Sequence, residues 1–250
     1  MHIKIYQNPD ELGANAAQFC RDLLNRAIQK QGNARLLLST GASQFDTLKH
    51  LITLDVDWSK VEMFHLDEYI QLPETHIASF RKYLKERVAQ KLPVPFKAVH
   101  YVNGEGDVKA NIAALTHEIR KSPIDLGLIG IGENAHIAFN DPPADFNTRE
   151  AFIVVNLDDK CKNQQVGEGW FKTIDDVPKQ AISMSVYQIM QCKTILSCVP
   201  YPVKANAIKM TLENDLTNQI PATILKQHGD FHLYLDRESA SLIDEKKYQA

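Results

Sequence analysis

Short apolar runs at residues 35–38, 61–66, 124–131, 194–199 and 231–235 each follow a stretch with helical spacing, and this alternation constrains the fold most strongly. Residues 9–31 set the pattern. Leu12, Ala16, Phe19, Leu23 and Ala27 recur at three- and four-residue spacing, and Gly32-Asn33 stops the helix before Arg35. Further helices are expected at 45–52, 79–90, 107–121 and 203–212, and residues 182–190 read as a strand passing into a helix. Strands joined through helices need right-handed crossovers and pair in parallel, so the chain reads as an α/β protein with a mainly parallel central sheet. No internal repeat, low-complexity tract or linker divides it, and residues 1–250 are expected to form a single domain.

Composition excludes several classes of function. With 28 basic and 31 acidic residues the formal charge is −3, which implies no basic surface for nucleic acid or anionic lipid. The strand-like start, Met1 to Ile5, lacks the long apolar region of a secretion signal, and no apolar stretch approaches membrane length. Cys20, Cys161, Cys192 and Cys198 have no paired metal spacing. They read as reduced thiols of a cytoplasmic protein rather than a disulfide framework or a zinc site.

The chemistry-bearing residues fall where strands end. The segment GIGENAHIAFNDP, residues 130–142, follows an apolar strand, and Gly130 and Gly132 are expected to let the backbone leave the sheet sharply. His136 therefore lies beyond the carboxyl end of a strand, where open parallel sheets place ligands. Taken alone, it would suit a satisfied turn equally well. Residues 39–43 form a small-residue turn between strand and helix: backbone N–H groups and a helix N-terminus face any anion, Gly41 and Ala42 allow close approach, and Thr40 and Ser43 add hydroxyl donors. Lys204, opening a helix after the strand 194–199, would bring a positive charge to the same edge. Asp67 and Glu68 end the strand 61–66, so their side chains point to opposite faces and only one enters a pocket.

The blocks Leu38-Ser39-Thr40-Gly41-Ala42-Ser43, residues 64–69, residues 130–142 and Val203-Lys204-Ala205, taken in this order, resemble the glucosamine-6-phosphate deaminase/isomerase family, whose relatives include the 6-phosphogluconolactonases. The resemblance implies a three-layer Rossmann-like sandwich and a sugar-phosphate isomerase/deaminase needing neither metal nor organic cofactor. A phosphorylated sugar is the expected partner, and a homo-oligomer is allowed. By the same resemblance, Thr40 to Ser43 and Lys204 meet the sugar phosphate, and Asp67 moves a proton between C2 and C1. Glu68 is counted with the substrate-binding residues, most simply as a brace of the loop. His136 opens the ring between two partners, which here are Asn134 and Asp141. An amide at Asn134, where the family has a carboxylate, can orient an imidazole but cannot neutralise an imidazolium.

Other positions depart from the family pattern too. No arginine occurs between Arg149 and Arg237, where deaminases carry one that helps bind phosphate; Lys162 or Gln164 could replace part of that contact. Residues 167–170 read as a tight aromatic-anchored loop, either a lid on the pocket or simple surface packing. Ala144 stands where allosteric members have serine, so that regulation is not expected. A 6-phosphogluconolactonase and a sugar-phosphate sensor that has lost turnover are the competing expectations. Against the lactonase, Tyr69 follows Asp67-Glu68 where lactonases have arginine.

Overall fold

The computed structural model describes residues 1–167 and 169–248, except the side chains of Lys160 and Gln164. In chain order the elements are β1 (His2–Tyr6), α1 (Pro9–Gln31), β2 (Ala34–Leu38), α2 (Phe45–Leu51), β3 (Val61–His65), β4 (Asp67–Tyr69), α3 (Phe80–Arg87), β5 (Ala98–His100), α4 (Val108–Ile119), β6 (Leu126–Leu128), β7 (Phe152–Asn156), α5 (Asp159–Gly167), β8 (Gln180–Met184), α6 (Val186–Ile189), β9 (Thr194–Val199), α7 (Ala205–Glu213) and β10 (Phe231–Asp236). Among the described residues the central sheet has seven strands in the order β1-β10-β9-β6-β2-β3-β5. Every pairing in it is parallel, as the helix–strand alternation requires.

Helices cover both faces of this sheet, and the pleat divides its strand residues between two cores. Leu36, Leu38, Leu196, Cys198 and Tyr234 pack with Leu12, Ala16 and Leu24 of α1 and with Leu48 and Leu51 of α2. Their neighbours Leu37, Ile195, Val199, Leu233 and Leu235 face the other way, toward Leu115 and Ile119 of α4 and Ala207 and Ile208 of α7. Helix α1 starts where Asn8 accepts a hydrogen bond from the Glu11 N–H, with Pro9 in the first turn. It closes at Gly32, whose N–H returns to the Ile28 carbonyl.

Several elements differ from the sequence expectation. Of the apolar run 124–131 only Leu126–Leu128 is strand; the Ile129 N–H still donates to the Leu196 carbonyl of β9 at 2.9 Å, and Ile131 is buried beyond the end of the pairing. The helix expected at 79–90 breaks at Val88 and finishes as a 3₁₀ turn, Ala89–Lys91. The one expected at 203–212 begins instead with the 3₁₀ turn Pro202–Lys204. Strands β5 and β7 and helix α5 are not among the expected elements, although the Phe-Ile-Val-Val run of β7 is apolar. Beside the main sheet, β4, β8 and β7 form a small antiparallel sheet that packs Tyr69, Leu157, Phe171 and Val177 into a separate apolar cluster. All four cysteines are free and buried. Among the described residues, no helix is long and apolar enough to cross a membrane.

Arg35 ties the sheet to α4. Its side chain, almost wholly buried, donates to the carbonyls of Glu118 at 2.7 Å and Ile119 at 3.0 Å and to that of Ser122, satisfying acceptors at the helix C-terminus. The guanidinium also lies 4.6 Å from the Phe64 ring centre and 3.3 Å from a Glu62 oxygen. Replacing it leaves those carbonyls buried without donors, so Arg35→Met is expected to lower unfolding stability by about 2–4 kcal/mol, with Arg35→Lys recovering only part. Denaturant unfolding of the two variants measures this.

Candidate active site

A cavity of about 240 Å³ opens at the carboxyl ends of the central strands. The segments after β2, β3, β6 and β9 all reach it, contributing Thr40, Asp67, His136 and Lys204 to its walls. Gly41, Ala42 and Ser43 line it as well. The turn after β2 passes through Gly41 at φ 102°, a conformation that side chains resist, and runs through a 3₁₀ turn into α2. Two contacts fix this turn: the Tyr83 hydroxyl donates to the Gly41 carbonyl at 3.0 Å, and Gln44 Nε2 donates to the Cys198 carbonyl at 3.3 Å. Ser39 Oγ, at the floor, is buried with no hydrogen-bond partner among the described residues. Lys204 is placed by a 3₁₀ turn after Tyr201, whose N–H donates to Asp236 at 3.0 Å. Small N–H-rich backbone, hydroxyls and one lysine on a common wall suit a phosphate group.

Asp67 and Glu68 diverge as the strand pleat demands. Asp67 enters the cavity, and burial, reinforced by the nearby Glu68 carboxylate, raises its pKa well above the ordinary carboxylate range. Glu68 does not line the cavity, which corrects its assignment to substrate binding. It is fully buried beneath the start of α3 and accepts from Ser79 Oγ at 2.7 Å, from the N–H groups of Tyr69, Phe80 and Arg81, and from Arg81 Nε at 3.2 Å. The acid thus braces β4 against α3.

His136 sits in a tight turn closed by the Gly132 N–H donating to its carbonyl at 2.9 Å. Neither Gly130 nor Gly132 takes a positive φ; the sharp exit expected of them is made by Ala135 at φ 63° and Ala138 at φ 50°. Gly132 is required for a different reason. A Cβ there would lie 2.3 Å from the His136 ring. His136 Nδ1 and Asp141 Oδ1 are 3.1 Å apart, close enough for an ion pair although the ring N–H does not point along that line. Asn134 does not touch the imidazole. Its Nδ2 donates to the same Asp141 Oδ1 at 3.0 Å, and its Oδ1 accepts from the His136 backbone N–H at 3.1 Å. Burial raises the Asp141 pKa, but contacts with His136, the Asn134 amide and the Cys161 thiol outweigh it and hold the acid below its ordinary value. Asp141 therefore stays ionised beside the ring.

Sequence reasoning missed other wall residues. Tyr83 reaches the cavity from α3 and Gln165 from α5. Gln165 is fixed by the Tyr69 hydroxyl, which donates to its Oε1 at 2.7 Å. Of the loop at 167–170, Trp170 does face the cavity, whereas Glu168 lies outside the described residues. Lys162 does not line the cavity and lies 3.6 Å from an Asp159 oxygen; the Gln164 side chain lies outside the described residues. No periodic signal marks these residues, because helix packing alone brings them to the site. The close approach at Gly132 yields a direct test: Gly132→Ala should push the imidazole out of place and lower turnover by about 10²-fold or more, with a much smaller loss of thermal stability. Steady-state kinetics and a melting curve on the same variant separate the two effects.

Comparison with known proteins points to one family. The family model described as glucosamine-6-phosphate isomerases/6-phosphogluconolactonase matches residues 7–233. A glucosamine-6-phosphate deaminase from Thermoanaerobacter sp. (strain X514) is 34% identical, covering 98% of this chain and 96% of its own length. One from Oenococcus oeni is 32% identical over 98% of this chain and 100% of its own. A monomeric glucosamine-6-phosphate deaminase of known structure superposes with a TM-score of 0.89 at 30% identity, covering 97% of this chain and 100% of its own. The 6-phosphogluconolactonase of Thermotoga maritima shares the fold, with a TM-score of 0.78 at 14% identity, covering 94% of this chain and 99% of its own. On sequence and architecture alike, the chain belongs to the glucosamine-6-phosphate isomerase/6-phosphogluconolactonase family.

Proposed function

We propose that this protein is a glucosamine-6-phosphate deaminase, converting glucosamine 6-phosphate and water to fructose 6-phosphate and ammonia. The observation that carries the reading is the convergence on one cavity of an anion-accepting wall, Thr40 to Ser43 with Lys204, and two proton-transfer groups, Asp67 and His136. The relatives at 30% identity or more named above are deaminases, whereas the lactonase resembles the chain only at the level of fold.

In this reading the phosphate is seated on the wall made by the turn after β2 and Lys204. His136, its Nδ1 turned toward ionised Asp141, keeps Nε2 for proton work. It carries the proton from the anomeric hydroxyl to the ring oxygen and so opens the pyranose. Asn134 acts one step back, holding Asp141 and the His136 backbone. Asp67 then takes the proton from C2 as O1 gains one from solvent, giving an enolamine, and returns its proton to C1; water adds to the iminium so formed at C2, and the carbinolamine collapses to the ketone with release of ammonia and of the proton borrowed from solvent. A carboxylate with a raised pKa is the stronger base once ionised. Glu68 fixes the strand from which Asp67 projects and touches no reacting atom.

Purified protein given glucosamine 6-phosphate should release ammonia and fructose 6-phosphate in equal amounts; release of acid from 6-phosphogluconolactone without ammonia would overturn the assignment. Asp67→Asn should cut turnover by about 10²–10⁴-fold and abolish exchange of the C2 proton with deuterated solvent, while substrate still binds. The pH profile gives a second check. Asp67 works ionised and its pKa is raised, so the rate should be lost as pH falls through a value above the roughly 3.9 of a free aspartate. The same desolvation disfavours the folded state at high pH, so Asp67→Asn should raise the melting temperature above that pKa and leave it unchanged in strong acid.

A further inference from the structure

At the opposite edge of the sheet from the cavity, β1 and β10 bring together side chains far apart in sequence. The register pairs His2 with His232, and their rings stack with centres 4.8 Å apart and planes inclined by 22°. Asp230, just before β10, joins them: its Oδ1 lies 2.8 Å from His232 Nε2. One ligand-capable atom from each of His2, Asp230 and His232 falls within 4.8 Å of the other two. We propose that His2, Asp230 and His232 form a binding site for a borderline divalent transition-metal ion of the zinc type.

The donor set fits that class. Two imidazole nitrogens and a carboxylate oxygen suit zinc, cobalt or nickel, whereas calcium and magnesium take oxygen ligands. Two ligands on one tetrahedral zinc at about 2.0–2.2 Å lie roughly 3.3–3.6 Å apart, so His232 Nε2 and Asp230 Oδ1, now 2.8 Å apart, need separate only slightly to hold one. An ion beside the line that joins them takes the place of the proton between them. His2, exposed at the strand edge, needs only a side-chain rotation to supply the third ligand.

The surroundings hold the pair in place. Thr194 Oγ1 donates to the other Asp230 oxygen at 2.6 Å, and the Phe19 ring packs 4.5 Å from the His232 ring. Such supporting contacts orient ligands before an ion arrives. Lys4 is the cation nearest on β1, and its ammonium is directed over the Tyr234 ring at 5.4 Å. A metal here would pin the edge strand β1 to β10, stabilising the fold without touching the chemistry at the other edge.

The test uses the untagged full chain, freed of metal with chelator. Calorimetric titration with Zn²⁺ should show roughly one equivalent bound, Co²⁺ should develop visible absorption of a low-coordinate site, and Zn²⁺ should raise the melting temperature. His2→Gln, chosen because His2 is exposed and the variant will fold, should weaken Zn²⁺ binding by about tenfold or more, and Asp230→Asn likewise. Turnover of glucosamine 6-phosphate should be unchanged in His2→Gln, which keeps this outcome separate from that of the catalytic assignment. Failure to bind Zn²⁺ at millimolar concentration, or equal affinity in wild type and His2→Gln, would overturn the proposal.

Discussion

The site depends on one buried carboxylate that never meets the cavity. Glu68 takes donations from the first amides of α3, from Ser79 and from Arg81, and so joins the short strand β4 to the helix beside it. A carboxyl group is tolerable at that depth only because hydroxyl, amide and guanidinium donors reach both of its oxygens. Once Glu68 is fixed, the pleat leaves Asp67 no choice of face. Pairing with β8, where Asp67 sits opposite Ser183, locks the register from the other side. One acid supplies position, and the burial that makes it costly to place is what raises the pKa of its neighbour.

The imidazole is organised by a longer relay than the motif suggests. Asn134 grips Asp141, Asp141 faces His136, and the backbone of His136 returns to Asn134, so the three form a small closed circuit. An amide can complete this circuit because it donates with one end and accepts with the other, which an ionised carboxylate cannot do. Of this circuit's side chains it is Asp141 that carries the negative charge beside the ring. Two alanines in left-handed conformation frame the turn, an uncommon backbone for residues with a Cβ, and such strain gathers where function fixes geometry.

The central sheet was legible because strands buried on both faces are written as apolar runs. The second sheet was legible only in part. β8 overlaps the strand expected within residues 182–190, and the apolar run Phe152-Ile153-Val154-Val155 of β7 carried a strand signal that the expectation passed over, whereas β4 is a polar tripeptide and α5 carries no apolar stripe. Apolarity also misled at Ile131, which is buried without strand pairing. Within the site, residues that follow strands could be named in advance: Thr40, Asp67, His136 and Lys204. Their directions could not. That Asn134 turns to Asp141 and not to the imidazole depends on a turn whose shape no spacing encodes, and Tyr83 and Gln165 arrive through helix packing alone.

The placement of the two tryptophans gives the molecule an optical asymmetry. Trp58 is sealed in the core against the edge of Phe96, out of reach of solvent and of any ligand. Trp170 lines the cavity. A change in indole emission on adding a ligand therefore originates at the pocket roof, while the steady component from Trp58 reports only whether the fold is intact. Occupancy and folding can thus be followed by separate signals in a single spectrum, with no label attached.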